Sequence, residues 1–189
     1  IALGLPENFG CTSGGVPWNG QAGQAVAMSG SCSRATREQV AQHAARHPAR
    51  EITADAVISG ELAPGEVANW LMQQEGVPLL YSSADPDVVR DVQTRLGSQT
   101  ASAALENFFA ETARAVVAMG ATRIITAGGE TSGAVVERLD LSQLAIGPEI
   151  DPGVPALRAH PNLVLALKSG NFGAADFFEK AANILEGKS

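Results

Sequence analysis

Three apolar segments of this chain each end in a run of glycine and hydroxyl residues, and each run leads into a helical pattern. The three junctions are AMSGSCSRAT (27–36), ITAGGETSGA (125–134) and ALKSGNFGAA (166–175). Two parallel strands need a crossover between them, and a helix is the usual crossover. This repeated strand–loop–helix pattern limits the chain to α/β folds more strictly than any other feature of the sequence.

The rest of the sequence continues the alternation. Further strands are predicted at REITADAVI (50–58) and VPLLYSSA (77–84), and further helices at 64–75, at 85–97 with Asp85 as N-cap, and at 100–119. The segment 141–162 is expected to hold one short strand and turns. We therefore predict a three-layer α/β fold, in which a largely parallel sheet carries helices on both faces.

Composition is typical of one folded domain. Of 189 residues, 45% are hydrophobic and 17% charged, which is enough apolar material for a sizeable core. Residues 1–23 are rich in Gly, Pro, Asn and Ser, and we interpret them as a linker or loop segment preceding a domain at 24–189. The lack of an initiator Met suggests a processed or truncated chain.

Charge and cysteine content limit the partners and the compartment. The formal net charge of −7 makes nucleic acid a poor partner. No apolar run reaches the roughly 18 residues that a membrane helix needs, and no signal peptide is evident. Two cysteines without a CxxC pair or a Cys/His cluster favour a reduced, cytoplasmic protein and give no support for a metal site among the side chains. The sequence leaves a homo-oligomer open.

The three Gly/Ser loops point to an anionic ligand. In an open parallel sheet all strand-to-helix loops emerge at one edge, where such sheets bind ligands. Small residues allow close backbone approach, and helix N-termini offer free N–H groups to phosphates. No GxGxxG is present, and Ala134 and Val135 stand where a P-loop needs Lys and Ser/Thr. The pattern therefore requires a different kind of phosphate or nucleotide site.

Several single residues carry two interpretations each. Lys168 is either a cation near ligand phosphates or a strand-end lysine that reaches solvent. Glu130 either organises a metal-bound water or a ribose hydroxyl, or is a first-turn carboxylate favoured by the helix dipole. His43 and His47 lie at i, i+4, but no further ligand is apparent, so a solvated helix face is favoured. For Cys32 a small packed thiol is favoured over a reactive one.

The segments GGETSGAV, IGPEIDPGVP and LALKSGNFG together resemble the C-terminal nucleotide-binding domain of the four-carbon acid sugar kinases, a family that includes 3-oxo-tetronate, D-threonate and D-erythronate kinases. SGSCSRATREQV resembles that family's first nucleotide loop, so the likeness covers about 27–182. It implies that ATP binds with Mg²⁺ at the loops already singled out, through these residues: Ser29, Gly30, Ser31, Gly128, Gly129, Glu130, Thr131, Lys168, Ser169, Gly170 and Gly173.

Members of that family carry a substrate domain ahead of this one, and its residues are not in this sequence. The resemblance implies that the four-carbon sugar acid binds there, so no catalytic base is assigned to this chain, and the chain alone is expected not to transfer phosphate. Two alternatives stay open. One is a non-catalytic nucleotide-binding or interaction module, and the other is an oxidoreductase, against which the missing GxGxxG counts.

Overall fold

A computed structural model of the chain describes residues 18–82, 94 and 97–188. Within these residues lie seven strands and six helices. The strands are β1 (Ala25–Ser29), β2 (Ala49–Ile52), β3 (Leu79–Ser82), β4 (Arg123–Ala127), β5 (Ala145–Asp151), β6 (Val154–His160) and β7 (Leu163–Lys168). The helices are α1 (Arg34–Ala44), α2 (Ala54–Ile58), α3 (Pro64–Met72), α4 (Ser98–Ala118), α5 (Gly129–Arg138) and α6 (Phe177–Glu186).

The strands form one sheet in the order β2-β3-β1-β4-β7-β6-β5. The first five strands in this order are parallel, whereas β6 and β5 run antiparallel at one end. The predicted largely parallel sheet is therefore confirmed. None of the described helices is long and apolar enough to cross a bilayer.

Two apolar cores lie on opposite faces of the sheet, which confirms the three-layer prediction. On one face, α3, α4 and α5 bury side chains such as Leu71, Phe109 and Val135. On the other face, α6 buries Phe177, Phe178 and Leu185, and α1 packs beside it. The central strands β1 and β4 are buried along their whole length, as expected of parallel strands covered on both sides.

Two segments fold differently from the prediction. Residues 50–58 are not one strand, because β2 ends at Ile52 and the Thr53 hydroxyl accepts a hydrogen bond from the Ala56 N–H, which starts α2. Segment 141–162 is not one short strand with turns but the hairpin β5–β6, with seven residues in each strand. The helix predicted at 85–97 lies almost wholly outside the described residues.

The parallel register aligns the ends of three neighbouring strands. Ser29, the last residue of β1, pairs with Ala127, the last residue of β4. Ala127 pairs in turn with Lys168, the last residue of β7. The three Gly/Ser loops of the sequence therefore leave the sheet side by side at one edge. We call them the first loop (29–33), the second loop (128–131) and the third loop (169–173).

Candidate functional site

Backbone hydrogen bonds join the three loops where they leave the sheet. The Gly30 N–H donates to the Ala127 carbonyl at 3.1 Å, and the Gly128 N–H donates to the Lys168 carbonyl at 2.8 Å. The first and second loops thus begin by pairing with the end of the neighbouring strand. The arrangement gives a continuous floor of main chain at the carboxyl edge of the sheet, where α/β proteins place their ligands.

Glycines are required at this floor because the loops touch each other. A Cβ on Gly30 would collide with the Thr131 hydroxyl of the second loop. A Cβ on Gly170 would lie 2.7 Å from the Ser31 hydroxyl oxygen of the first loop. Gly128 has a φ of +127°, a conformation that side-chain-bearing residues rarely adopt. These three glycines are therefore needed for the loops to approach, whatever they bind.

Gly129 is the exception among the loop glycines. No heavy atom lies within 4 Å of a Cβ placed there, and the residue is exposed at the first turn of α5. The packing of the described chain therefore gives no reason for a glycine at this position. Close approach of a ligand to the backbone is a remaining physical reason for it.

The N-termini of α1 and α5 differ in how they are satisfied. At α1, the Ser33 side chain accepts a hydrogen bond from the Thr36 N–H. At α5, the N-cap is Gly128, which has no side chain to accept one. The first turn of a helix always leaves N–H groups without helical partners. Those of α5 have no side-chain cap, so they are available to bind an anion.

Lys168 is fully buried beneath the loops, so the interpretation as a lysine that reaches solvent is wrong. Its ammonium donates to the Thr36 hydroxyl at 2.9 Å and to the carbonyls of Ser169 and Gly170 at 3.2 and 3.1 Å. All three acceptors are uncharged. Burial lowers the pKa of the Lys168 ammonium to about 8. The side chain thus contributes positive potential from below the loops and holds the third loop in place.

Helix α1 supplies side chains that the sequence interpretation missed. The Thr36 hydroxyl lies 2.6 Å from the Gly170 carbonyl, and the Gln39 amide nitrogen lies within 3.1 Å of the carbonyls of Phe172, Gly173 and Ala174. Both residues are buried. The available signal was a polar stripe at helical spacing, since Thr36, Gln39 and His43 are the residues that α1 buries.

The far side of the third loop is held by the β5–β6 hairpin. The Asp151 carboxylate, 6% exposed, accepts a hydrogen bond from the Ala174 N–H at 3.0 Å and pairs with the Lys180 ammonium at 2.5 Å. A Cβ on Gly173, whose φ is +82°, would lie 3.2 Å from an Asp151 carboxylate oxygen and 3.3 Å from the Gln39 amide nitrogen. The IGPEIDPGVP segment was not predicted as a hairpin. Its residue Asp151 nevertheless supports the predicted third loop from the side of β5.

A small cavity of about 50 Å³ opens between the first loop, the second loop and α4. Its lining includes Gly30, Glu106, Phe109, Glu130 and Thr131. The pKa of the Glu106 carboxyl is raised by burial and by the negative charge of Glu130. The two carboxylates repel each other, and a cation bound between them would relieve this repulsion.

All the residues predicted for binding lie at this edge of the sheet. Ser29, Gly128, Thr131 and Lys168 are buried in its floor. The exposed or partly exposed members are Gly30, Ser31, Gly129, Glu130, Ser169, Gly170 and Gly173. Cys32 is exposed in the first loop and is not the packed thiol that we expected.

Comparison with known proteins gives the family. Residues 26–178 match the model of the nucleotide-binding C-terminal domain family. The chain belongs to this family. All three Gly/Ser loops lie within the matched range.

Curated relatives of this nucleotide-binding domain include 3-oxo-tetronate kinases. The enzyme of Pseudomonas fluorescens is 43% identical over 197 residues, which cover 99% of this chain and 45% of the relative. The enzyme of Cupriavidus necator is 45% identical over 199 residues, with coverages of 99% and 45%. The chain thus spans a little under half the length of these relatives.

Solved structures agree with the fold. The crystal structure of Haemophilus influenzae protein HI1011 superposes with a TM-score of 0.85 at 37% identity, and the match covers 95% of this chain and 44% of that one. The α/β architecture described above is therefore that of the corresponding region of HI1011.

Proposed function

We propose that this chain binds ATP with Mg²⁺ at the three loops and forms the nucleotide-binding half of a kinase that phosphorylates a hydroxyl of a four-carbon sugar acid. The observation that carries the proposal is the register of β1, β4 and β7, which brings all three loops together. The names of the relatives, 3-oxo-tetronate kinases, support the acceptor class. A kinase of this class would work in the cytoplasm, where ATP is available.

The second loop is the best candidate for binding the phosphates. Its amides at Gly129, Glu130 and Thr131 occupy the first turn of α5, where no side chain caps them. Phosphate oxygens would accept from these N–H groups, and the helix dipole would favour their charge. The open space above Gly129 would let a phosphate approach the main chain more closely than at any residue with a Cβ.

Lys168 would act on the nucleotide from beneath the floor. Its ammonium donates hydrogen bonds to Thr36 and to two carbonyls of the third loop, so its first role is to hold that loop in place. A buried cation without a charged partner in this network also favours a nearby anion electrostatically. Phosphates bound above the loops would provide one. Phosphoryl transfer depends mainly on such positioning and charge neutralisation.

The residues at the cavity mouth fit a Mg²⁺ ion that arrives with the nucleotide. Mg²⁺ binds through one or two carboxylates together with substrate phosphates. Glu130 stands beside the amides proposed for phosphate binding, and Glu106 is close enough for the two charges to interact. The ion would neutralise phosphate charge, while Glu130 and Glu106 would fix its place relative to the second loop.

Calorimetry of the chain with ATP, ADP and NAD in the presence of Mg²⁺ tests nucleotide binding. We expect heat with both adenine nucleotides and none with NAD. A folded sample that gives no heat with ATP or ADP would overturn the proposal, and binding of NAD alone would favour an oxidoreductase. Repeating the ATP titration without Mg²⁺ and with Glu130→Gln tests the ion, because both changes should weaken binding.

A further inference from the structure

A second polar cluster lies away from the three loops, in the cleft between α1 and α6. His43 lies in the last turn of α1, His47 lies in the turn that follows α1, and Glu179 lies in the first turn of α6. One ligand atom from each of the three residues can be chosen so that all lie within 4.8 Å of one another. The two histidines therefore do not form the solvated face that the sequence suggested, and Glu179 is a third candidate ligand that the sequence did not reveal.

The hydrogen bonds of the histidines orient them for a ligand. His43 is buried, and its Nε2 donates to the Val77 carbonyl at 2.8 Å, which leaves the Nδ1 lone pair free. Histidines that bind metals commonly donate their other N–H to a carbonyl or a carboxylate in this way. Burial lowers the pKa of the His43 ring.

His47 and Glu179 already form a close pair. His47 Nε2 lies 2.9 Å from the Glu179 carboxylate, which is a hydrogen-bond distance. The ring of His47 stacks on that of His43 with centroids 4.3 Å apart, and its Nδ1 accepts a hydrogen bond from the Val77 N–H at 3.4 Å. The side chain is 19% exposed, and a shared ion would require the ring to rotate out of this stack. On binding, the ion would replace the proton between His47 and Glu179.

The cleft also has room for one ion. It holds a cavity of about 10 Å³, the space of a single water-sized sphere, lined by both histidines, Glu179 and Asp176 among others. We propose that His43, His47 and Glu179 form a binding site for a transition-metal ion of the Zn²⁺, Co²⁺ or Ni²⁺ class. Two imidazoles and one carboxylate suit these ions, whereas Mg²⁺ prefers oxygen ligands.

Such an ion would link the two helices that follow the first and third loops. Helix α1 begins directly after the first loop, and α6 begins four residues after the third. Helix α1 contacts the third loop directly through Thr36 and Gln39. Helix α6 is connected to the turn after that loop through Asp151, which bonds both Lys180 and the Ala174 N–H. The bound ion would therefore stiffen the structure around the third loop without touching the nucleotide, and the site stands whether or not the loops bind ATP.

Titration of the chain with Zn²⁺ by calorimetry, and with Co²⁺ by visible absorption, tests this site. We expect one ion per chain, with affinity reduced at least tenfold by His47→Ala and clearly reduced by Glu179→Gln. His43 is left unchanged because its burial makes folding sensitive to substitution. His160→Ala removes the remaining histidine of the chain, on the exposed end of β6, and Cys32→Ser removes the exposed thiol. Neither control should weaken binding.

Three outcomes would overturn the site: no stoichiometric binding by the folded chain, unchanged affinity in His47→Ala, or loss of binding in Cys32→Ser alone. Thermal unfolding gives an independent measurement. Zn²⁺ should raise the melting temperature of the parent chain and of His160→Ala, and should raise it less for His47→Ala.

Discussion

The Thr36 hydroxyl lies 2.6 Å from the carbonyl oxygen of Gly170, which is 134 positions further along the chain. The same carbonyl accepts from the Ser33 hydroxyl at 2.5 Å and from the Lys168 ammonium at 3.1 Å. One backbone oxygen of the third loop is thus held by the first turn of α1 and by the end of β7. This shared acceptor makes the first and third loops one structural unit.

Thr36→Val should remove the hydroxyl hydrogen bonds between the first turn of α1 and the third loop while keeping the shape of the side chain. The substitution leaves the Lys168 ammonium without its nearest acceptor, and Gly170 loses a donor. Because unpaired buried polar groups cost about 1–3 kcal/mol, we expect unfolding free energy to fall by about that amount. Nucleotide affinity should fall as well. Urea denaturation measures the first effect and calorimetry the second. Thr100→Val, at an exposed position of α4, should change neither.

Gly129→Val tests whether the second loop lies against phosphates. The space around Gly129 is open, so the fold should tolerate the side chain, whereas a phosphate bound to these amides would meet it. We expect nucleotide affinity to fall at least about tenfold, or about 1.4 kcal/mol. Gly133→Val is the matched control, because Gly133 lies one turn further along α5 and is equally open. Equal affinities in the two folded variants would show that the second loop does not contact the phosphates.

The burial of Lys168 predicts opposite effects of pH on binding and on stability. In the folded chain the pKa of Lys168 is about 8, below the usual 10.5. As pH rises, the folded state therefore loses this proton before the unfolded state does. Between pH 8 and 10.5 the unfolded state binds more protons, and this residue's contribution to stability therefore rises with pH. Nucleotide binding should instead weaken as the cation is lost, by about tenfold from pH 7 to pH 9 if it requires the charged form.

Calorimetry at several pH values checks the binding profile, and Lys168→Met provides the control. This variant should bind nucleotide weakly and with little dependence on pH in the same range. A profile of the parent chain that stays flat between pH 7 and 9 would show that the charge of Lys168 does not support the nucleotide.

The position of the three loops could be predicted from the sequence because it follows from local rules. Glycine and hydroxyl residues after a buried strand identify each loop, and the parallel sheet places all three at one edge. The supporting contacts could not be predicted, since they depend on which helix packs beside which loop. Gln39 and Asp151 both bond Ala174, in the turn after the third loop. They are 135 and 23 positions from it in the sequence, so no local pattern reveals these contacts.

The errors have physical causes as well. Strand β5 contains Gly147 and Pro148 and is exposed on most of its length, so it lacks the alternation of apolar residues that identifies a strand. Lys168 is the last residue of an apolar strand, a position where lysine usually reaches water. Here α1, Phe177 and the third loop enclose its ammonium. His47 and Glu179 are 132 positions apart, so the sequence could not show that they meet.

The last prediction is that this chain alone does not phosphorylate a sugar acid at a useful rate. In-line transfer needs the acceptor hydroxyl within about 3–3.5 Å of the γ-phosphorus, and a small hydrated acid needs several directed contacts to be held there. One of these must be a cation for its carboxylate. Of the described cations near the loops, Lys168 is buried among loop oxygens and Arg34 pairs with Glu38 at 3.1 Å.

The acceptor pocket should therefore lie in the part of the kinase relatives that this chain does not span. ADP release is measured with D-threonate, D-erythronate and 3-oxo-tetronates, first with this chain and then with the other half of a relative added in trans or fused. We expect slow hydrolysis of ATP by the chain alone, because water can reach an open γ-phosphate, and acceptor-dependent turnover only when both halves are present. Robust acceptor-dependent turnover by the 189-residue chain would place the sugar-acid site within this chain. Nucleotide binding without turnover in the two-part enzyme would instead favour a non-catalytic nucleotide-binding module.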